Sequence, residues 1–77
     1  VAKINKKNKA LRLLGLKIRQ LRTAKGWTLE QAEDQGYTSW RHLQQIESGN
    51  KNITLETILR ICKLFKVTPS ELLKDIE

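Results

Sequence analysis

The sequence predicts an all-α fold: five short helices packed into one small domain. Three observations carry this. Apolar residues recur three and four apart in successive segments, the helical period. Helix-capping patterns open those segments, most clearly at Thr28–Gln31 and Thr68–Glu71. Only one proline and four glycines interrupt the 77 residues, and no stretch of any length reads as a strand.

The first helix is expected from Ala10, with Leu11, Leu14, Ile18, Leu21 and Ala24 forming one apolar stripe and Gly26 as its stop. Before it, Lys3–Lys9 has no apolar face and reads as a mobile basic arm, so the chain divides into an arm at 1–9 and a domain at 10–77. Trp27 precedes the cap Thr28, where an apolar side chain staples onto the new helix and joins the core. This second helix ends near Gln35-Gly36. A third begins at Thr38 or Ser39, turns Leu43 and Ile46 inward, and stops at Ser48-Gly49-Asn50. Thr54 caps a fourth, lined by Leu55, Ile58, Leu59, Cys62 and Phe65 and widened by Ile61. In the fifth, Pro69 takes the first helical position, where its missing N–H costs nothing, and Leu72, Leu73 and Ile76 follow.

Charge narrows the function. The formal net charge is +7, and nearly all of the excess is N-terminal: residues 1–25 hold nine Lys/Arg and no acid. Such asymmetry favours a polyanionic partner. Cys62 is the one cysteine, which excludes an internal disulfide and fits a reducing cytoplasm; its place on an apolar face makes it an inert core thiol. No apolar run approaches the ~18 residues of a membrane span, and no secretory signal pattern is present. His42 is the single histidine and has no cysteine at metal-ligand spacing, so no zinc site is expected; it packs against the turn or reaches a phosphate. No nucleophile–base pairing or glycine-rich phosphate loop is visible, so neither catalysis nor a cofactor or small-molecule ligand is expected. Glu30, Glu33 and Asp34 are read as acids favouring a helix N-terminus.

Two short helices joined by a few residues, the second with polar side chains outward, form a helix-turn-helix. A major groove about 12 Å wide admits such a helix, and side chains near its start reach the base edges. Here those are Trp40, Arg41, Gln44 and Gln45. Arginine pairs with guanine and glutamine with adenine, both bidentately. Ser39 and the amides behind it can hold a phosphate oxygen.

At these residues the run KGWTLEQAEDQGYTSWRHLQQIESGNKNITLETILRICKLFKV resembles the phage repressor/Cro (Xre-like) helix-turn-helix family. The likeness rests on Lys25-Gly26 before the cap, Ile46-Glu47-Ser48-Gly49 closing the recognition helix, and Leu55-Glu56-Thr57 opening the fourth. Ile18-Arg19-x-Leu21-Arg22 matches the first helix, and the resemblance covers about residues 12–73. It implies a lambda-repressor-like fold and a transcriptional regulator that binds duplex DNA as a homodimer on a palindromic site. The recognition helix would be residues 39–48, with base contacts by Trp40, Arg41 and Gln45 and with Gln44 nearby. Phosphate contacts would come from Ser39 and the loop Asn50, Lys51 and Asn52, and a structural pair would join Arg22 to Glu47. A bacterial or phage-encoded cytoplasmic protein is implied. Leu73 and Ile76 are candidates for the dimer surface.

The sequence departs from the family at four places. Ala32 replaces a usual leucine, Glu33 a small alanine, Leu29 a phosphate-contacting glutamine, and Tyr37 the turn glycine, with Gly36 one residue earlier. Two rival functions are an antitoxin-type module whose main surface grips a protein, and a single-strand binder using Tyr37 and Trp40 as stacking platforms.

Overall fold

A computed structural model describes residues 6–74 and 76. Among them are five α-helices and no strand: α1 Lys6–Ala24, α2 Leu29–Asp34, α3 Trp40–Glu47, α4 Leu55–Phe65 and α5 Pro69–Leu73. The first helix starts four residues ahead of the expected Ala10, so Lys6–Lys9 continue the helix. Lysine is a good helix former, and once Leu14 and Ile18 anchor the middle of α1, propagation toward the N-terminus needs no apolar face of its own. The expected arm falls otherwise on residues 1–5, outside the described ones.

Side-chain caps set the other starts. The hydroxyls of Thr28, Ser39, Thr54 and Thr68 each accept a backbone N–H from three residues on. At Thr28 and Thr68 the bond is reciprocated by Gln31 and Glu71, completing both capping boxes. The ends of α1, α2, α3 and α4 share one closure, a backbone bond spanning five residues: Trp27 N–H to the Arg22 carbonyl, Tyr37 to Ala32, Asn50 to Gln45 and Val67 to Cys62. The residue just inside that bond must turn left-handed. Gly36 does so after α2, at φ 121°, while after α4 the position falls to Lys66 at φ 58°.

One core joins all five helices: Leu14, Ile18, Ala32, Tyr37, Leu43, Ile46, Ile61, Cys62, Phe65 and Leu72 are buried. Trp27 packs at its edge, its ring centroid 5.9 Å from that of Phe65. Burial corrects two expectations, at Ala24 and on α4. Ala24, at the last turn of α1, is exposed. Leu55 and Leu59 are 68% and 50% exposed, because the inward face of α4 centres on Ile58, Ile61, Cys62 and Phe65, leaving Leu59 on its flank and Leu55 at its exposed first turn. Leu73 is 40% exposed, whereas Ile76 packs on the core.

Helices α1 and α3 approach closely at Gly15. A Cβ at Gly15 would lie 2.5 Å from the carbonyl oxygens of both Ile46 and Glu47. One turn away, a Cβ at Gly49 would lie 2.7 Å from Cγ of Arg12. The C-terminal turn of α3 therefore rests directly on α1, and only glycine at position 15 permits it.

Candidate nucleic-acid interface

Helix α3 is strongly two-sided. Leu43 and Ile46 are 0% and 2% exposed, while Arg41, Gln44 and Gln45 stand in solvent on the opposite side. Trp40 is half-buried, and the Arg41 guanidinium lies 5.3 Å from its ring centroid, within cation–π range. Arg41 is thereby held beside Trp40 at the leading edge of the helix. Asn50, Lys51 and Asn52 follow as an exposed loop.

The start of α3 differs from the simple phosphate cradle read from the sequence. Ser39 Oγ accepts the His42 N–H at 3.4 Å, and Glu33 Oε1 accepts the Trp40 N–H at 2.9 Å. Two of the amides that would hold a phosphate oxygen are therefore occupied within the chain. Glu33 does not serve the start of its own helix; it reaches from α2 to the first amide of α3.

His42 is half-buried against Tyr37. Their rings stack with centroids 5.8 Å apart, and the Tyr37 hydroxyl lies 2.7 Å from His42 Nδ1. Burial pushes the Tyr37 phenol up to about 12, so it stays protonated. The hydroxyl donates this bond when the imidazole proton is on Nε2 and accepts it when the proton is on Nδ1. Burial, then the charges of Lys51 and Arg60, hold His42 below its ordinary 6.5. An unfolded chain therefore takes up a proton that the folded chain resists. This contribution to stability is intact above pH 6.5 and is lost as pH falls from 6.5 through the lowered folded value. The urea midpoint is expected to drop between pH 7.5 and 5.5, and His42→Gln should flatten that slope. Equal slopes in the two proteins would contradict this assignment. Glu71, lowered by its bonds to Thr68, acts only below its ordinary 4.5 and does not overlap the window.

Two further contacts brace α3. Arg22 Nε and Nη2 meet the two Glu47 carboxylate oxygens at 2.7 and 3.0 Å, and Nη1 donates to the Trp27 carbonyl at 2.8 Å. This ties both the end of α1 and the first turn of the chain beyond it to the end of α3. Arg60 Nη1 donates to Thr38 Oγ1 at 2.8 Å, fastening α4 to the turn before α3. Its ion pair with Glu56, at 3.6 Å and well exposed, adds little.

The roles of Gly15, Glu33 and Arg60 were missed in the sequence. Gly15 carried a signal: a glycine inside a helical stripe costs ~1 kcal/mol against alanine and so needs a packing reason. Glu33 and Tyr37 were visible only as departures from the family pattern. Arg60 carried none.

These features define an all-α helix-turn-helix domain whose second motif helix, α3, has a polar, cation-bearing exposed side. A helix-turn-helix family model matches residues 18–72, from the middle of α1 into α5, and the chain belongs to that family, in its Xre-type branch. The chain is 41% identical over 61 residues to the HTH-type transcriptional activator BcrR of Enterococcus faecalis. That match takes in 79% of this chain but 30% of BcrR, so the chain spans under a third of the relative's length. Its fold is similar to that of the restriction-modification controller protein C.AhdI from Aeromonas hydrophila. The TM-score is 0.77 at 29% identity, over 84% of this chain and 94% of that one. Among the described residues, no helix is long and apolar enough to cross a membrane.

Proposed function

We propose that this chain is the DNA-binding domain of a bacterial or phage transcriptional regulator, acting on duplex DNA in the cytoplasm. The observation that carries the reading is the division of α3: Leu43 and Ile46 buried, Arg41, Gln44 and Gln45 exposed along one side. The helix enters the major groove with Trp40 and Arg41 leading, and Arg41, Gln44 and Gln45 read base edges. Asn50, Lys51 and Asn52 touch the phosphate backbone at the far end of the helix, and the basic segment 1–9 adds attraction that fades with salt. His42 supports the reading helix through Tyr37, with only Nε2 left to face a phosphate. The chain binds as a homodimer on a roughly two-fold site, its two reading helices about 34 Å apart. The exposed Leu73, with Ile76 beside it, is the candidate seam.

Base contacts specify and phosphate contacts position. Arg41→Ala is therefore expected to lower discrimination between the preferred site and its variants by about 1–3 kcal/mol. Lys51→Ala should weaken all sequences alike and make the salt dependence shallower by about one phosphate contact. Binding titrations on specific and random duplexes at several salt concentrations check both. Equal losses on both duplexes for both variants would contradict this division of labour.

A further inference from the structure

We propose that Glu33 and Tyr37 are positioning residues that set the tilt of the first turn of α3, and with it which bases Trp40, Arg41 and Gln44 meet; the specificity half of this rests on the DNA-reading function above. The two residues stand where the resembled family has alanine and glycine, side chains too small to reach α3. Here both reach it. Glu33 is half-buried and accepts the backbone N–H of Trp40, the first residue of the helix, at 2.9 Å. Tyr37 is 4% exposed, and its hydroxyl hydrogen-bonds Nδ1 of His42, two residues further on, at 2.7 Å. One bond holds the backbone at the start of the turn, and the other holds a side chain at its end. The segment between α2 and α3 is itself pinned by Arg60 on Thr38.

Leverage makes this placement matter. The buried Leu43 and Ile46 fix the middle and end of α3, so any tilt is greatest at Trp40. Three residues of helix separate Trp40 from Leu43, about 4.5 Å, so a tilt of about 10° moves Trp40 by about 0.8 Å. That is enough to break the geometry of a bidentate base contact. The Glu33 bond is charge-assisted and sits at the positive end of the α3 dipole, which favours a carboxylate there. The same charge would face a passing phosphate, so geometry and charge must be separated experimentally. Glu33→Gln keeps an acceptor without the charge, Glu33→Ala removes both, and Tyr37→Phe keeps the packed ring without its hydroxyl.

Amide hydrogen exchange and selection from random duplexes, run on the wild-type chain and these three variants, test the proposal together. Exchange at Trp40 is expected to quicken about tenfold in Glu33→Ala, the equivalent of one hydrogen bond, and to change little in Glu33→Gln. Unchanged exchange at Leu43 and Ile46 shows that each variant is folded. On DNA, Glu33→Ala should lower the preference for the best site over its single-base variants by about tenfold, Tyr37→Phe should shift it in the same direction, and Glu33→Gln should retain it. Wild-type exchange at Trp40 in Glu33→Ala overturns the tether. A uniform affinity loss on every sequence, with preference intact, overturns the positioning of base contacts. A wild-type chain with no preference for any duplex removes the proposed DNA function and the specificity role with it; Trp40 exchange then still decides whether the tether exists.

Discussion

Glu47→Ala is expected to lower the stability of the domain by about 3 kcal/mol, the lower edge of the ~3–5 kcal/mol range for stranding one member of a buried pair. The side chains of Arg22 and Glu47 are only 12% and 8% exposed. Without Glu47 the guanidinium keeps one bond, to the Trp27 carbonyl, and little water replaces the other two. Arg22→Ala should cost at least as much, because it strands the carboxylate and frees that carbonyl as well. Against the ~4–12 kcal/mol expected for a domain of this length, either change is a large fraction. Replacing both by apolar residues of similar volume should cost less than either single change, since the main penalty is an unpaired charge rather than the loss of attraction. Urea midpoints of the two single variants and the double variant check this. A Glu47→Ala midpoint unchanged from the wild type would contradict it.

Gly15→Ala is expected to destabilise by about 2 kcal/mol or more, against local propensity. Alanine in a helix interior would gain ~1 kcal/mol over glycine. The new methyl, however, would sit 2.5 Å from two carbonyl oxygens of α3, which are backbone and cannot swing aside. Overpacking typically costs about 1–3 kcal/mol, and this contact belongs at the upper end or beyond it because two helices must separate. Gly26→Ala supplies the comparison. That site has φ +75° and open space around it, so only left-handed strain of roughly 1–2 kcal/mol acts there. Thermal or urea unfolding of both variants distinguishes clash from strain. A Gly15→Ala chain more stable than the wild type would mean that α1 and α3 do not meet as described. Because that contact positions α3, the helix proposed to enter the groove, the variant should also bind DNA more weakly at temperatures where it is still folded.

Much of this was legible in the amino acids, for identifiable reasons. Caps are local: Thr28 with Gln31, and Thr68 with Glu71, mark helix starts within four residues of sequence, and both boxes are present. Leu43 and Ile46, three apart between polar residues, fixed which side of α3 is buried. Long-range contacts left weaker marks. The α1–α3 approach shows only as an unexplained glycine at 15. The Glu33 and Tyr37 contacts bridge two helices and depend on the backbone path of the turn, which periodicity does not encode. Leu55 and Leu59 were placed on the packed side of α4 because period alone cannot tell the centre of an apolar stripe from its edge, nor a helix's first turn from its middle. The extra N-terminal turn of α1 has no apolar residue to announce it. The exposed side of α3, with Arg41, Gln44 and Gln45, was readable because helical period separates it from Leu43 and Ile46; His42 packs against the turn as expected, but its bond to Tyr37 was not legible, because the resemblance assigns that position to glycine.

The exposed side of α3 is proposed to read duplex DNA. Selection of the wild-type chain on a library of random duplexes at physiological salt tests it most directly. Enrichment of one short motif, repeated as an inverted pair about one helical turn apart, is expected, with that enrichment lost in Arg41→Ala. A pool that stays random, or an Arg41→Ala chain that enriches the same motif as strongly as the wild type, would contradict it.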